Sequence, residues 1–114
     1  RHRVDHFEPV AAQYRALTVK PAVSEEQRKM FVQANALAQQ KEYGKALAQY
    51  DKAIELERTA YPEAYFNMAL LAAQEHRPVT AIFYMRHYLL LKPDAKDARS
   101  AQDKIYEWEM LFQK

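Results

Sequence analysis

Two stretches of this chain match each other at an interval of 35 residues, and that recurrence restricts the fold more than any other feature. Tyr43, Ala46, Tyr50, Ala53 and Ile54 are answered by Pro78, Ala81, Met85, Tyr88 and Leu89. The segments ahead of them follow the same offset, with Met30 and Ala34 answered by Tyr65 and Ala69. A period of this size indicates supersecondary units stacked in a row, and helix, short turn, helix is the unit that best fits the apolar spacing. Arrays of that kind present binding surfaces far more often than catalytic ones.

Helix throughout is also what the composition favours. The 114 residues include one Gly and no run of β-branched residues, and 49% of them are hydrophobic, enough for one compact core. Seventeen basic and fifteen acidic residues are spread along the chain for a net charge of +2, too balanced for an electrostatic nucleic-acid footprint. Without cysteine there is no disulfide, thiolate metal site or cysteine nucleophile. The most apolar stretch, residues 79–91, is interrupted by Arg86 and His87 and falls short of the roughly 20 residues of a membrane span. The chain opens at Arg1 without the apolar core of a secretory signal, as expected of an excised domain or a processed product.

Local signals place the helices. Val4, Phe7, Val10, Tyr14 and Leu17 share one helical face, and Pro9 suits a first turn, so the opening helix is expected over residues 9–17. Ser24 and Gln27 form a capping box, in which Ser24 accepts a backbone bond and Gln27 reaches back. A helix is predicted from there to about Gln39, and a second over residues 43–57, where Gly44 costs up to about 1 kcal/mol relative to Ala. Pro62 and Pro78 start the third and fourth helices. Pro93 ends the second unit, and Asp94 caps a last helix running to about Phe112, with a seam of Ala98, Ala101, Ile105, Trp108 and Phe112. The expected organisation is a single domain: an N-terminal segment 1–23, repeats 24–58 and 59–93, and a capping helix 94–114.

From Gln27 to Pro93 this pattern resembles the tetratricopeptide repeat family. AYFNMAL, Ala64 to Leu70, looks like the family's first-helix motif, with Ala81 as its small second-helix residue and Pro93 as its terminal proline. The first unit keeps EYGKALAQYDKAIEL but has Arg58 where a proline is usual. The resemblance implies an all-α tetratricopeptide-like helical hairpin array of two repeats, with Ala34, Ala46, Ala69 and Ala81 allowing close helix approach. Two repeats are fewer than the three or so that stack stably alone, so terminal helices must cover the ends. The opening segment would cover the first unit or lie in its groove.

In function, the resemblance implies a non-catalytic scaffold that binds a peptide or helix of a partner protein in a concave groove. The residues assigned to that groove are Arg28, Phe31, Asn35 and Ala38, then Glu63, Phe66, Asn67, Leu70 and Ala73. Asn35 and Asn67 also resemble two members of the clamp that grips chaperone C-termini, but Phe31, Asp97 and Ala101 stand where its cations belong. Two neutral amides hold a carboxylate weakly.

The two units differ on their outer faces. Ala48, Asp51, Lys52 and Glu55 of the first are matched by Phe83, Arg86, His87 and Leu90 of the second. A helix apolar on nearly all sides is buried on more than one, so Phe83, His87 and Leu90 form a candidate second interface, covered by a terminal helix or by another chain. The alternatives to groove binding are thus an assembly module that oligomerises through this face and an accessory domain of a larger complex. His2 and His6, four apart, lack a third metal ligand, and no nucleophile motif or phosphate-binding glycine loop is present. No cofactor and no catalysis are expected.

Overall fold

The computed structural model describes residues 2–112, with side chains described from His6 onward. Its α-helices are α1 His2–Ala16, α2 Glu25–Gln39, α3 Tyr43–Leu56, α4 Glu63–Gln74, α5 Pro78–Leu91 and α6 Ala98–Glu109, with a 3-10 turn over Met110–Phe112. Helices α2 and α3 form one antiparallel hairpin and α4 and α5 a second, joined where α3 packs on α4. Helix α6 covers α5 at the far end, and α1 also docks on α5. The fold is an all-α helical hairpin array, with no strand among the described residues.

The 35-residue interval holds for the backbone as well. Each hairpin turns through a residue in the left-handed region, Lys41 at φ 64° and His76 at φ 59°. In both turns the amides of that residue and of the next fold back onto the last carbonyls of the first helix. Lys41 and Glu42 donate to Ala38 and Leu37, and His76 and Arg77 donate to Ala73 and Ala72. These bonds satisfy carbonyls that a helix C-terminus otherwise leaves bare, a closure that usually employs glycine. Behind the turns, Ala34, Ala46, Ala69 and Ala81 are fully buried, as close approach of paired helices requires. Met68, Met85 and Tyr50 are among the largest fully buried side chains.

Several local expectations are corrected. Pro9 lies inside α1, because Phe7 anchors the turn ahead of it in the core. Ser24 Oγ does accept from the Gln27 amide at 3.1 Å, but the Gln27 side chain does not reach back. It is fully buried, and its Nε2 donates to the carbonyls of Ala53 and Glu57 at 3.0 and 2.9 Å, closing the C-terminus of α3. Asp94 does not cap α6, which starts four residues later. Asp97 holds the cap position, yet its carboxylate takes the Tyr88 hydroxyl at 2.6 Å instead. The α-helical part of α6 ends at Glu109 and Phe112 is 48% exposed, so the seam reduces to Ala101, Ile105 and Trp108 with Ala98 half-buried.

Gly44 lies in the first turn of α3 with φ in the ordinary negative range. A methyl group there would stand 3.1 Å from Oε1 of Glu75, the far end of an exposed side chain that swings aside. Gly44→Ala is expected to raise the unfolding free energy by about 0.5 kcal/mol, measured as a higher urea midpoint at unchanged slope. A lower midpoint would show that the Glu75 carboxylate is held in place.

Candidate functional site

The first helices of the hairpins, α2 and α4, line a common face, and Tyr50 of α3 reaches between them. Its ring is 1% exposed and packs against Phe31, with centroids 5.7 Å apart. Burial pushes the Tyr50 hydroxyl above its ordinary pKa, so it stays protonated and available as a donor. That hydroxyl donates to Oδ1 of Asn35 on α2 and accepts from Nδ2 of Asn67 on α4 at 3.2 Å. The two hairpins are thereby tied across their junction by one phenol oxygen.

This network is the floor of a cleft of about 290 Å³. Ala38, Tyr43, Leu70 and Leu71 provide an apolar lining, and Gln74 also borders it. Because Oδ1 of Asn35 and one hydrogen of Asn67 Nδ2 are committed to Tyr50, the floor presents the Asn35 amide nitrogen as donor and the Asn67 amide oxygen as acceptor. A neutral peptide group needs that pairing. Among the described residues no cation lines the cleft, so they offer a free carboxylate no counter-charge there.

The predicted groove residues are distributed as follows. Asn35, Asn67 and Leu70 come together in the cleft, with Leu70 37% exposed. Phe66 does not line the cleft: it is half-buried, its ring edge-to-face with Tyr88 of α5 at 5.2 Å. Phe31 is not a surface residue: it is 5% exposed, held between Tyr50 and the Tyr61 ring at 4.9 Å. Glu63 is exposed, 4.0 Å from Lys92. Arg28 pairs with Glu25 at 3.2 Å and opens onto a separate face with Lys29, Val32 and Gln33. Sequence reasoning missed Tyr43, Tyr50, Leu71 and Gln74. The available signal was the Tyr50 hydroxyl, since the equivalent position in the second repeat is Met85 and a buried phenol requires a partner.

The outer face of α5 is covered from within the chain. His87 is 5% exposed and Phe83 and Leu90 are half-buried. Phe7 of α1 lies on the His87 ring at 4.1 Å, and Arg15 of α1 donates to the Leu90 carbonyl. The opening helix therefore lies on α5 and alongside the end of α3, as a cover that also borders the first unit, and does not line the groove. Of the spaced histidines, His6 is exposed and the His2 side chain lies outside the described residues. No helix among the described residues is long and apolar enough to cross a membrane. Compared with known proteins, the chain matches no family model, no curated protein and no solved structure.

Proposed function

We propose that this chain is a tetratricopeptide-like, non-catalytic interaction module that holds a peptide or helix of a partner protein in the cleft between α2 and α4. The observation that carries this reading is the Asn35–Tyr50–Asn67 chain of hydrogen bonds, which orients two amides toward an apolar recess. A ligand residue with an aliphatic or aromatic side chain would fill the space beside Leu70 and Leu71, while its own peptide group meets Asn35 and Asn67. Apolar burial supplies affinity and the paired amides supply register. The segment bound would be internal to its protein, because the described lining residues offer a terminal carboxylate no positive charge.

A displayed library of random peptides, selected on the intact chain, tests this. Selected peptides are expected to lose roughly 30- to 100-fold in affinity for the Asn67→Ala, Leu70→Asp double variant, equivalent to about 2–3 kcal/mol for a lost hydrogen bond and a charge introduced into the apolar recess. Helicity should remain, since Leu70 is partly exposed and Asn67 half-buried. Peptides that bind the variant as well as the native chain, or a selection that enriches nothing, would exclude the cleft as the binding site.

A further inference from the structure

Helix α1 is docked on α5 through Phe7, Ala11 and Tyr14, spaced so that they share one face and all buried. Phe7 is fully enclosed, with the His87 ring at 4.1 Å, the Tyr65 ring at 5.5 Å and the Arg58 guanidinium 5.0 Å from its centroid. Nδ1 of His87 lies 2.9 Å from the Phe83 carbonyl, which can only accept, so this nitrogen carries the proton of the neutral ring. Toward its C-terminus α1 is held by Ala11, Tyr14 and the Arg15 bond to the Leu90 carbonyl. Pro9 removes one of its helical hydrogen bonds. A cleft of about 470 Å³, lined by Val10, Tyr14, Leu17, Leu56 and Arg58 among others, lies between the second half of α1 and the connection from α3 to α4.

We propose that α1 is an acid-released latch: protonation of the buried His87 ring beneath Phe7 drives α1 off the outer face of α5 and uncovers His87 and Leu90, while the hairpins α2 to α5 and the α6 cap stay folded.

The surroundings of His87 favour the neutral ring. From the connection between α3 and α4 comes Arg58, a cation already stacked on Phe7. From α4 comes Tyr65, whose hydroxyl donates to the Arg58 carbonyl at 2.7 Å and is held protonated by burial. On α5 itself, Tyr84 donates to Asp51 of α3 at 3.0 Å, so that carboxylate is engaged by a phenol rather than by the imidazole. Arg86, next along α5, is directed to Glu109 of α6 at 3.3 Å. From α1 the ring meets Phe7, with His6 beside it in solvent. A new imidazolium would therefore be desolvated and would share the faces of Phe7 with Arg58. Burial pushes the His87 pKa down from 6.5 to about 4, helped by Arg58 and opposed by the Phe83 hydrogen bond.

The sign of the linkage follows. With α1 docked the ring binds a proton less readily than when it is free, so docking is undiminished above about pH 6.5 and is lost as pH falls toward about 4. The ratio of released to docked α1 rises by about tenfold per pH unit across that window and then levels off. The desolvation of a buried imidazolium near the Arg58 charge is relieved by moving one helix, without disturbing the repeats.

The absence of cysteine makes paired labelling clean. Spin labels at Ala12→Cys on α1 and Lys52→Cys on α3, both exposed positions, report docking as an interspin distance. A single short distance is expected at pH 7.5, joined by a longer, broader population that grows about tenfold per pH unit below pH 6.5, with far-ultraviolet helicity and Trp108 emission held near their neutral values. In His87→Gln, and in His87→Phe, which keeps a ring against Phe7, the distance distribution is expected to be independent of pH. A native distance unchanged down to pH 4.5 would overturn the latch. So would acid release that persists in both variants, or release that coincides with loss of the core.

Discussion

Tyr50→Ala is expected to lower the unfolding free energy by about 3–5 kcal/mol, a large share of the roughly 5–15 kcal/mol that stabilises a domain of this size. The ring is 1% exposed and stands between the two hairpins, so its removal leaves a cavity at the junction rather than at one surface. Its hydroxyl is the one atom to which both Asn35 and Asn67 are bonded. Tyr50→Phe separates the contributions. It keeps the ring and loses the two hydrogen bonds, and because both asparagines can turn to water in the cleft its expected cost is only about 1 kcal/mol. Urea unfolding followed by circular dichroism measures both variants. A cost below about 1 kcal/mol for Tyr50→Ala would mean that the hairpins do not meet through this side chain. Tyr50→Phe should also weaken library-selected peptides, because it frees the amides to rotate away from the orientation a peptide group requires.

Trp108→Ala should destabilise the domain by about 3 kcal/mol, and the damage should be greatest in α6. Helix α6 packs against α5 through Ala101, Ile105 and Trp108, and the indole is by far the largest of the three. Met110, Leu111 and Phe112 follow it as exposed residues and none of them is buried. Amide hydrogen exchange is the measurement that separates local from global loss. Amides of α6 should exchange much faster in the variant while those of α2 and α3 slow or quicken only with global stability. Equal acceleration throughout would show that α6 unfolds together with the repeats and is no separate cap. Because Trp108 is the only tryptophan, circular dichroism rather than fluorescence must report unfolding in this variant.

Much of the architecture is legible in the residues because it depends on short-range periodicity. The paired alanines, Pro62 and Pro78 at helix starts and Pro93 beyond α5 each act within a turn or two of their own position, and each does so in the structure. Expectations that depended on where a polar side chain spends its hydrogen bonds fared differently. Gln27 has the spacing of a capping box, yet it is buried where α3 ends and closes that helix instead. Asp97 sits at a cap and answers Tyr88, nine residues back. Phe31 has the offset of a groove residue, but the rings of Tyr50 and Tyr61 enclose it. In each case the competing partner comes from another element, and no local pattern contains it.

The mismatch between the outer faces of the two repeats belongs to both levels. Phe83, His87 and Leu90 stand in the sequence as a face that needs a cover, because apolar surface on a fourth side of a helix is costly in water. That α1 covers it, and that Phe7 rests on a buried histidine, depends on a chain reversal between residues 17 and 24 that no periodicity encodes. The sequence alone determined the helices, their pairing into hairpins and the repeat between them, since these follow from apolar spacing and turn residues close in the chain. Only the tertiary structure decided the occupant of the α5 outer face and the Asn35–Tyr50–Asn67 floor of the cleft, because both join residues whose partners are set by the stacking of whole elements.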